Sequence, residues 1–200
     1  MGSVMDVSEL KKNAKVEMDG HPYVVTEFQF VKPGKGQGLY KCKLKNMITG
    51  AVLDRTWRSG EKLESANVDS RTMQFLFSGG GAHTFMDSAN YEQVELSEDL
   101  VGDDKYFLLD APQPGSDQPI AYNVLFYNNR PVGLDVPSHL VMEVTECEPG
   151  VKGDTATNVT KGATVQTGLE VQVPLFIKQG DMIKIDTRSK SYVERVNVNK

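Results

Sequence analysis

Lys35 lies within Phe30-Val31-Lys32-Pro33-Gly34-Lys35-Gly36-Gln37-Gly38-Leu39-Tyr40, where a loop of three glycines and one proline joins two strand-like runs. Glycine permits positive φ and close backbone approach, and Pro33 stiffens the entry, so the loop reads as a hairpin tip with Lys35 at its apex. The chemistry on offer is that of an ammonium projecting into solvent. Taken locally, that is a solubilising lysine in a turn. A phosphate cradle fits poorly, because the segment is neither G-x-x-x-x-G-K-[ST] nor G-x-G-x-x-G. It also runs into the strand-like LYKCKLKNM rather than into a helix whose N-terminus could hold an anion.

Other chemistries find less support. Cys42 and Cys147 belong to no C-x-x-C pair, and His21, His83 and His139 are scattered, so reduced structural thiols and packing histidines are expected, with no metal. No nucleophile with its base, no paired carboxylates and no cofactor motif stand out, so neither catalytic residues nor a cofactor are expected. Trp57, between Arg55-Thr56 and Arg58, can either stack on RNA or pack a small barrel's core, and the core is favoured.

The elements that must position Lys35 are strands. Alternating or short apolar runs recur at 14–18, 22–30, 38–47, 51–57, 72–77, 91–96, 120–126, 140–147, 171–177, 182–186 and 191–198, between Gly, Pro, Asn and Asp clusters. This spacing predicts an all-β chain of small barrels. The one helix expected is short, near Ser97 to Val101, with Ser97 as its cap. Composition shifts divide the chain into 1–65, 66–133 and 134–200, the second boundary falling in RPVGLDVP and the loop APQPGSDQP staying inside the middle segment.

Charge follows the same division. The net charge is −5, yet residues 1–65 hold 11 basic against 8 acidic residues, 66–133 hold 3 against 10, and 134–200 hold 8 against 9. Within 32–62, Lys32, Lys35, Lys41, Lys43, Lys45, Arg55, Arg58 and Lys62 face only Asp54 and Glu61. RNA contact is expected to begin there, since phosphate neutralisation supplies most of its affinity. No stretch approaches the roughly 20 apolar residues of a membrane span, and the N-terminus lacks the apolar run of a secretory signal, so a cytoplasmic protein without membrane contact is expected.

KPGKGQG between strands, followed by KCKLKNMITG and DRTWRSGEK, resembles the first domain of elongation factor P. Residues 71–94 resemble the start of that family's second domain, and 149–196, with GDTA, VPLFI, GD-x-IK-x-DTR and YVERV in order, resemble its third. The resemblance implies three small β-barrels in an L shape, an N-terminal SH3-like (KOW-type) domain over 1–65 and two OB-folds over 66–133 and 134–200. It implies no enzyme but a bacterial translation factor, a monomer that binds the 70S ribosome and its rRNA between the P and E sites. There it would hold the P-site peptidyl-tRNA and relieve polyproline stalls. Lys35 matches the family's tip residue, which meets the tRNA acceptor end and in many members is extended by a lysine-modifying enzyme, with Pro33, Gly34 and Gly36 as the supporting loop. Gly153, Asp154, Thr155 and Ala156 match the loop that approaches the small subunit and E-site codon, although a capped turn is their local reading. Tyr192 and Arg195 match P-site tRNA contacts. Three apart, they face opposite ways on a regular strand, so joint contact needs a strand end or a bulge. The alternatives are the elongation-factor-P-like paralogue or a generic OB-fold RNA-binding module, and the intact PGKG apex argues against the paralogue.

Overall fold

The computed structural model describes residues 3–149 and 159–197. Strands β1 (Val4–Asp6), β2 (Lys15–Met18), β3 (His21–Val31), β4 (Leu39–Asn46), β5 (Val52–Arg58) and β6 (Lys62–Ser65) form a six-stranded sheet in the order β1-β6-β2-β3-β4-β5. A five-stranded sheet holds β7 (Asp69–Gly79), β8 (Ala82–Asp87), β9 (Gln93–Ser97), β10 (Tyr122–Tyr127) and β11 (Arg130–Asp135), in the order β11-β10-β7-β8-β9. The third sheet, β14-β13-β12-β15-β16, takes β12 (His139–Cys147), β13 (Thr160–Val165), β14 (Glu170–Pro174), β15 (Met182–Asp186) and β16 (Ser191–Val196). The expected all-β class is what the chain adopts. Helix α1 (Glu98–Val101) forms where expected, with the Ser97 hydroxyl accepting the Leu100 N–H at 3.3 Å.

Contacts divide the chain into two compact units, Met1–Arg71 with Val124–Gly133 and Thr72–Asn123 with Leu134–Lys200. In the first, β4 alternates: Cys42 and Leu44 point inward while Lys41 and Lys45 are exposed. The inward residues join Val7, Leu10, Val16, Val25, Trp57 and Leu63 in one core, so Trp57 packs rather than stacks on a ligand. A second cluster joins Met47 with Leu125, Tyr127 and Val132, so the hairpin of β10 and β11 buries its apolar side in this unit. The turn after β4 is closed by buried Asn46, whose Oδ1 accepts the N–H groups of Ile48 and Thr49 at 2.8 and 3.0 Å.

Five strands were not among the expected runs: β1, β6, β8, β11 and β13. β1 and β6 are three and four residues long and pair with each other, too short to show a period. β11 lies in RPVGLDVP, whose Pro131 is tolerated because the strand sits at the sheet's edge. In β8 and β13 a polar residue occupies an inward position, His83 and Lys161 respectively, which hides the alternation.

In the second unit, Tyr122 is fully buried and its hydroxyl is saturated. It donates to the Phe107 carbonyl at 2.8 Å and accepts the Leu109 N–H at 2.9 Å, and its ring meets Phe85 edge-on at 5.8 Å. Burial pushes its phenol up to about 12. The loop over 111–119 is tied down by Gln113, whose amide accepts from the Val141 N–H at 2.6 Å and donates to the Val141 carbonyl at 3.3 Å. A side-chain amide thus docks on β12 as a neighbouring strand's backbone would.

Two outcomes follow for stability. Tyr122→Phe leaves the Leu109 N–H and the Phe107 carbonyl unpaired in the interior, and should cost about 1–3 kcal/mol in urea unfolding; an unchanged midpoint would show the hydroxyl dispensable. The Nδ1 of His83 lies 2.7 Å from the Ser78 hydroxyl and its Nε2 is buried without a partner among the described residues. Burial holds this imidazole below its ordinary 6.5, with Glu98 opposing. As pH falls through 6.5 the unfolded chain takes up a proton that the folded chain refuses, so stability is present above that pH and lost below it. Unfolding measured between about pH 7 and pH 5 should therefore decline less steeply in His83→Gln than in the parent, and equal slopes would refute the assignment.

Candidate functional site

β3 and β4 pair antiparallel in a register that places Phe28 opposite Cys42, Phe30 opposite Tyr40 and Val31 opposite Leu39, leaving Lys32–Gly38 as the connecting tip. Pairs in register share a face, so Phe28, Phe30 and Tyr40 lie on the inward side together with Trp57, which pairs with Tyr40 from β5. Phe30 and Tyr40 meet in a tilted contact with ring centroids 4.8 Å apart, and Phe28 lies 5.8 Å from Tyr40. This aromatic column carries the core up the hairpin and ends at Phe30, which is 47% exposed. At the loop exit the Ser59 N–H donates to the Gly38 carbonyl at 2.9 Å, tying the strand ends to the turn after β5.

Above that neck Lys35 is exposed between exposed Gly34 and Gly36, with Pro33 half-buried. Gly36 has φ of +126°, a conformation that side-chain-bearing residues rarely adopt, while a Cβ at Gly34 would meet nothing within 4 Å. Gly36 is needed for its backbone and Gly34 for no contact. On the outward face of β4, Lys41, Lys43 and Lys45 form a row, opposite Gln29 and Glu27 of β3 and Thr56 and Asp54 of β5. The row is not uniformly basic. Glu27 accepts from the Lys43 ammonium at 3.1 Å and, by that bond and its charge, holds the lysine above its ordinary range.

β16 resolves the question of facing. Tyr192 pairs with Ile185 and Glu194 with Lys184, so Val193 is an extra residue and Arg195 falls opposite Ile183. Ile183 and Ile185 share one face of β15, hence the bulge turns Tyr192 and Arg195 to the same side despite their spacing of three. The Arg195 guanidinium lies 5.6 Å from the centre of the Phe176 ring and 3.9 Å from an Asp181 carboxylate oxygen. Phe176, itself 57% exposed, supports the arginine with its π face. Gly153, Asp154, Thr155 and Ala156 lie outside the described residues.

The description "Elongation factor P (EF-P) KOW-like domain" fits residues 6–63, "Elongation factor P (EF-P) OB domain" fits 68–134 and "Elongation factor P, C-terminal" fits 140–195. Proteins named elongation factor P from Rhodopirellula baltica and Desulforapulum autotrophicum are each 47% identical over 192 residues, covering 96% of this chain and 94% and 98% of their own. That of Desulfosudis oleivorans is 48% identical over 191 residues, covering 96% of this chain and 98% of its own. The chain belongs to the elongation factor P family. It is a translation elongation factor, built of a KOW-like N-terminal domain and OB domains.

The features of this elongation factor that sequence reasoning missed are the aromatic column and the two partners of Arg195. Phe28, Phe30 and Tyr40 did carry a signal: aromatics at period two on both sides of a glycine loop, the spacing of a shared face. Phe176 and Asp181 precede Arg195 by 19 and 14 residues in VPLFIKQGD, with nothing local to join them. Gly36→Ala should strain the tip by about 1–3 kcal/mol and shift the amide NMR signals of residues 32–38 while sparing the rest of the first sheet. Unchanged loop signals would show that the positive φ is not required.

Proposed function

We propose that this elongation factor enters the 70S ribosome between the P and E sites, contacts rRNA there, and holds the P-site peptidyl-tRNA so that peptide bonds form at polyproline stalls. The observation that carries this reading is the hairpin that lifts Lys35, exposed and stiffly supported, to the apex of a basic segment in a member of this family. Proline is a constrained secondary amine and a stiff peptidyl donor, so the attacking nitrogen and the ester carbonyl align poorly. Holding the donor substrate converts lost orientation into rate without any covalent step by the factor. On this reading the ribosome performs the transfer and the factor is not an enzyme.

Lys35 meets the tRNA acceptor end, and a lysine-modifying enzyme extends its reach. Pro33, Gly34 and Gly36 hold the tip, Tyr192 and Arg195 meet the P-site tRNA, and Gly153 to Ala156 approach the small subunit. The shared face that the β16 bulge gives Tyr192 and Arg195 supports their joint role. The division into 1–65, 66–133 and 134–200 is supported by the three family matches, and a cytoplasmic monomer suits a ribosome-bound factor. No helix among the described residues is long and apolar enough to cross a membrane.

Lys35→Ala should abolish rescue of a polyproline reporter in reconstituted translation while leaving the unfolding midpoint unchanged. A fully active variant would remove Lys35 from the mechanism. Intact mass and peptide mapping of the native protein should show an increment on Lys35.

A further inference from the structure

Lys161 occupies an inward register of β13, on the same side as Ala163 and Val165, and is only 8% exposed. Its Nζ lies 3.6 Å from the Sγ of Cys147, the last residue of β12. The two strand ends are pinned beside this pair: the Glu148 N–H donates to the Gly162 carbonyl, and a Glu148 carboxylate oxygen accepts the Gly162 N–H, both at 3.1 Å. Cys147 is half-buried and, with Glu146, Glu148, Thr164 and Gln172, lines an open groove of about 530 Å³. Cys147 thus borders the groove among the described residues, with the Lys161 amine beside its sulfur. Cys42, by contrast, is buried in the first core, and burial pushes its thiol up.

We propose that Cys147 and Lys161 form a reversible sulfur–nitrogen cross-link when the protein meets a hydroperoxide. In the first step the Cys147 thiolate attacks one peroxide oxygen, the O–O bond breaks, and the sulfur becomes a sulfenic acid as the peroxide is reduced to water. In the second, the unprotonated Lys161 amine attacks that sulfur, the S–O bond breaks, and the departing hydroxide leaves as water with an amine proton. The sum is one thiol, one amine and one hydrogen peroxide giving one S–N bond and two waters. Dithiothreitol reverses it: one thiol attacks the sulfur and releases the amine, and its second thiol attacks the resulting mixed disulfide, restoring the Cys147 thiol as dithiothreitol leaves as its cyclic disulfide. The bond removes the Lys161 charge and ties β12 to β13 where the chain leaves for Gly153 to Ala156. That the tether then weakens ribosome engagement rests on the proposed function; the cross-link itself does not.

The test treats the full chain with a small excess of hydrogen peroxide and maps it by trypsin and mass spectrometry without reductant. The expected result is a peptide pair joined through Cys147 and Lys161, two hydrogens lighter than the sum of its parts, uncleaved after Lys161 and released by dithiothreitol. It should vanish in Cys147→Ser and Lys161→Arg, and dimedone should label Cys147 several-fold more in Lys161→Arg than in the parent. A parent protein whose Cys147 is trapped by dimedone or over-oxidised with no linked peptide, or stays unoxidised, overturns the proposal. If the linked peptide forms and translation is unaffected, the cross-link stands and its proposed consequence for ribosome engagement fails.

Discussion

The register of β3 against β4 is the constraint on which the rest of the N-terminal unit depends. It sets Phe30 against Tyr40 and Cys42 against Phe28, and by the same alternation turns Lys41, Lys43 and Lys45 to solvent. A slip of β4 by one residue would send three lysines into a core of Val16, Val25 and Trp57, and turn Tyr40, Cys42 and Leu44 outward. Burying even one unpaired ammonium costs several kcal/mol, far more than a hairpin can absorb. The position of Lys35 is therefore decided not by its glycines but by residues five to eight positions away, which leave the loop no other length. The glycines then let a loop of that length close.

On the proposed reading, that arrangement also explains how a site that takes no covalent part can matter to a chemical reaction. On that reading the aromatic column braces the hairpin, and bracing is what a positioning factor needs, because orientation freedom left in the arm is lost from the substrate it holds. The basic row beside the arm, on the same proposed reading, supplies attraction to phosphates, tempered at Lys43 by its ion pair with Glu27. On the proposed reading, attraction and rigidity are separate tasks carried on opposite faces of the same strands, so neither compromises the other.

Much of this is legible in the order of the residues. LYKCKLKN has the strict alternation of a half-buried strand, Ser97 before Glu98 and Asp99 has the grammar of a capped turn, and Trp57 falls in register for a core. The illegible parts have physical causes. His83 and Lys161 put polar groups at inward positions, so β8 and β13 carry no clean period. The bulge at Val193 leaves no local mark, because one unpaired residue is defined only against the partner strand. The aromatic column is visible as spacing but not as contact, and the Arg195–Phe176 and Gln113–Val141 contacts join segments that only the fold brings together.

Lys35 and Lys161 carry the same amine, and their surroundings alone divide their chemistry. At the hairpin apex Lys35 is exposed, and on the proposed reading the change it undergoes comes from an enzyme that recognises the loop. Lys161 is buried and, among the described residues, has the Cys147 sulfur beside its amine, so the chemistry proposed for it is intramolecular and triggered by something small. Burial thus acts as a filter on reagent size. On the two proposals, that filter decides which of these two lysines answers to another protein and which to the redox state of the solution.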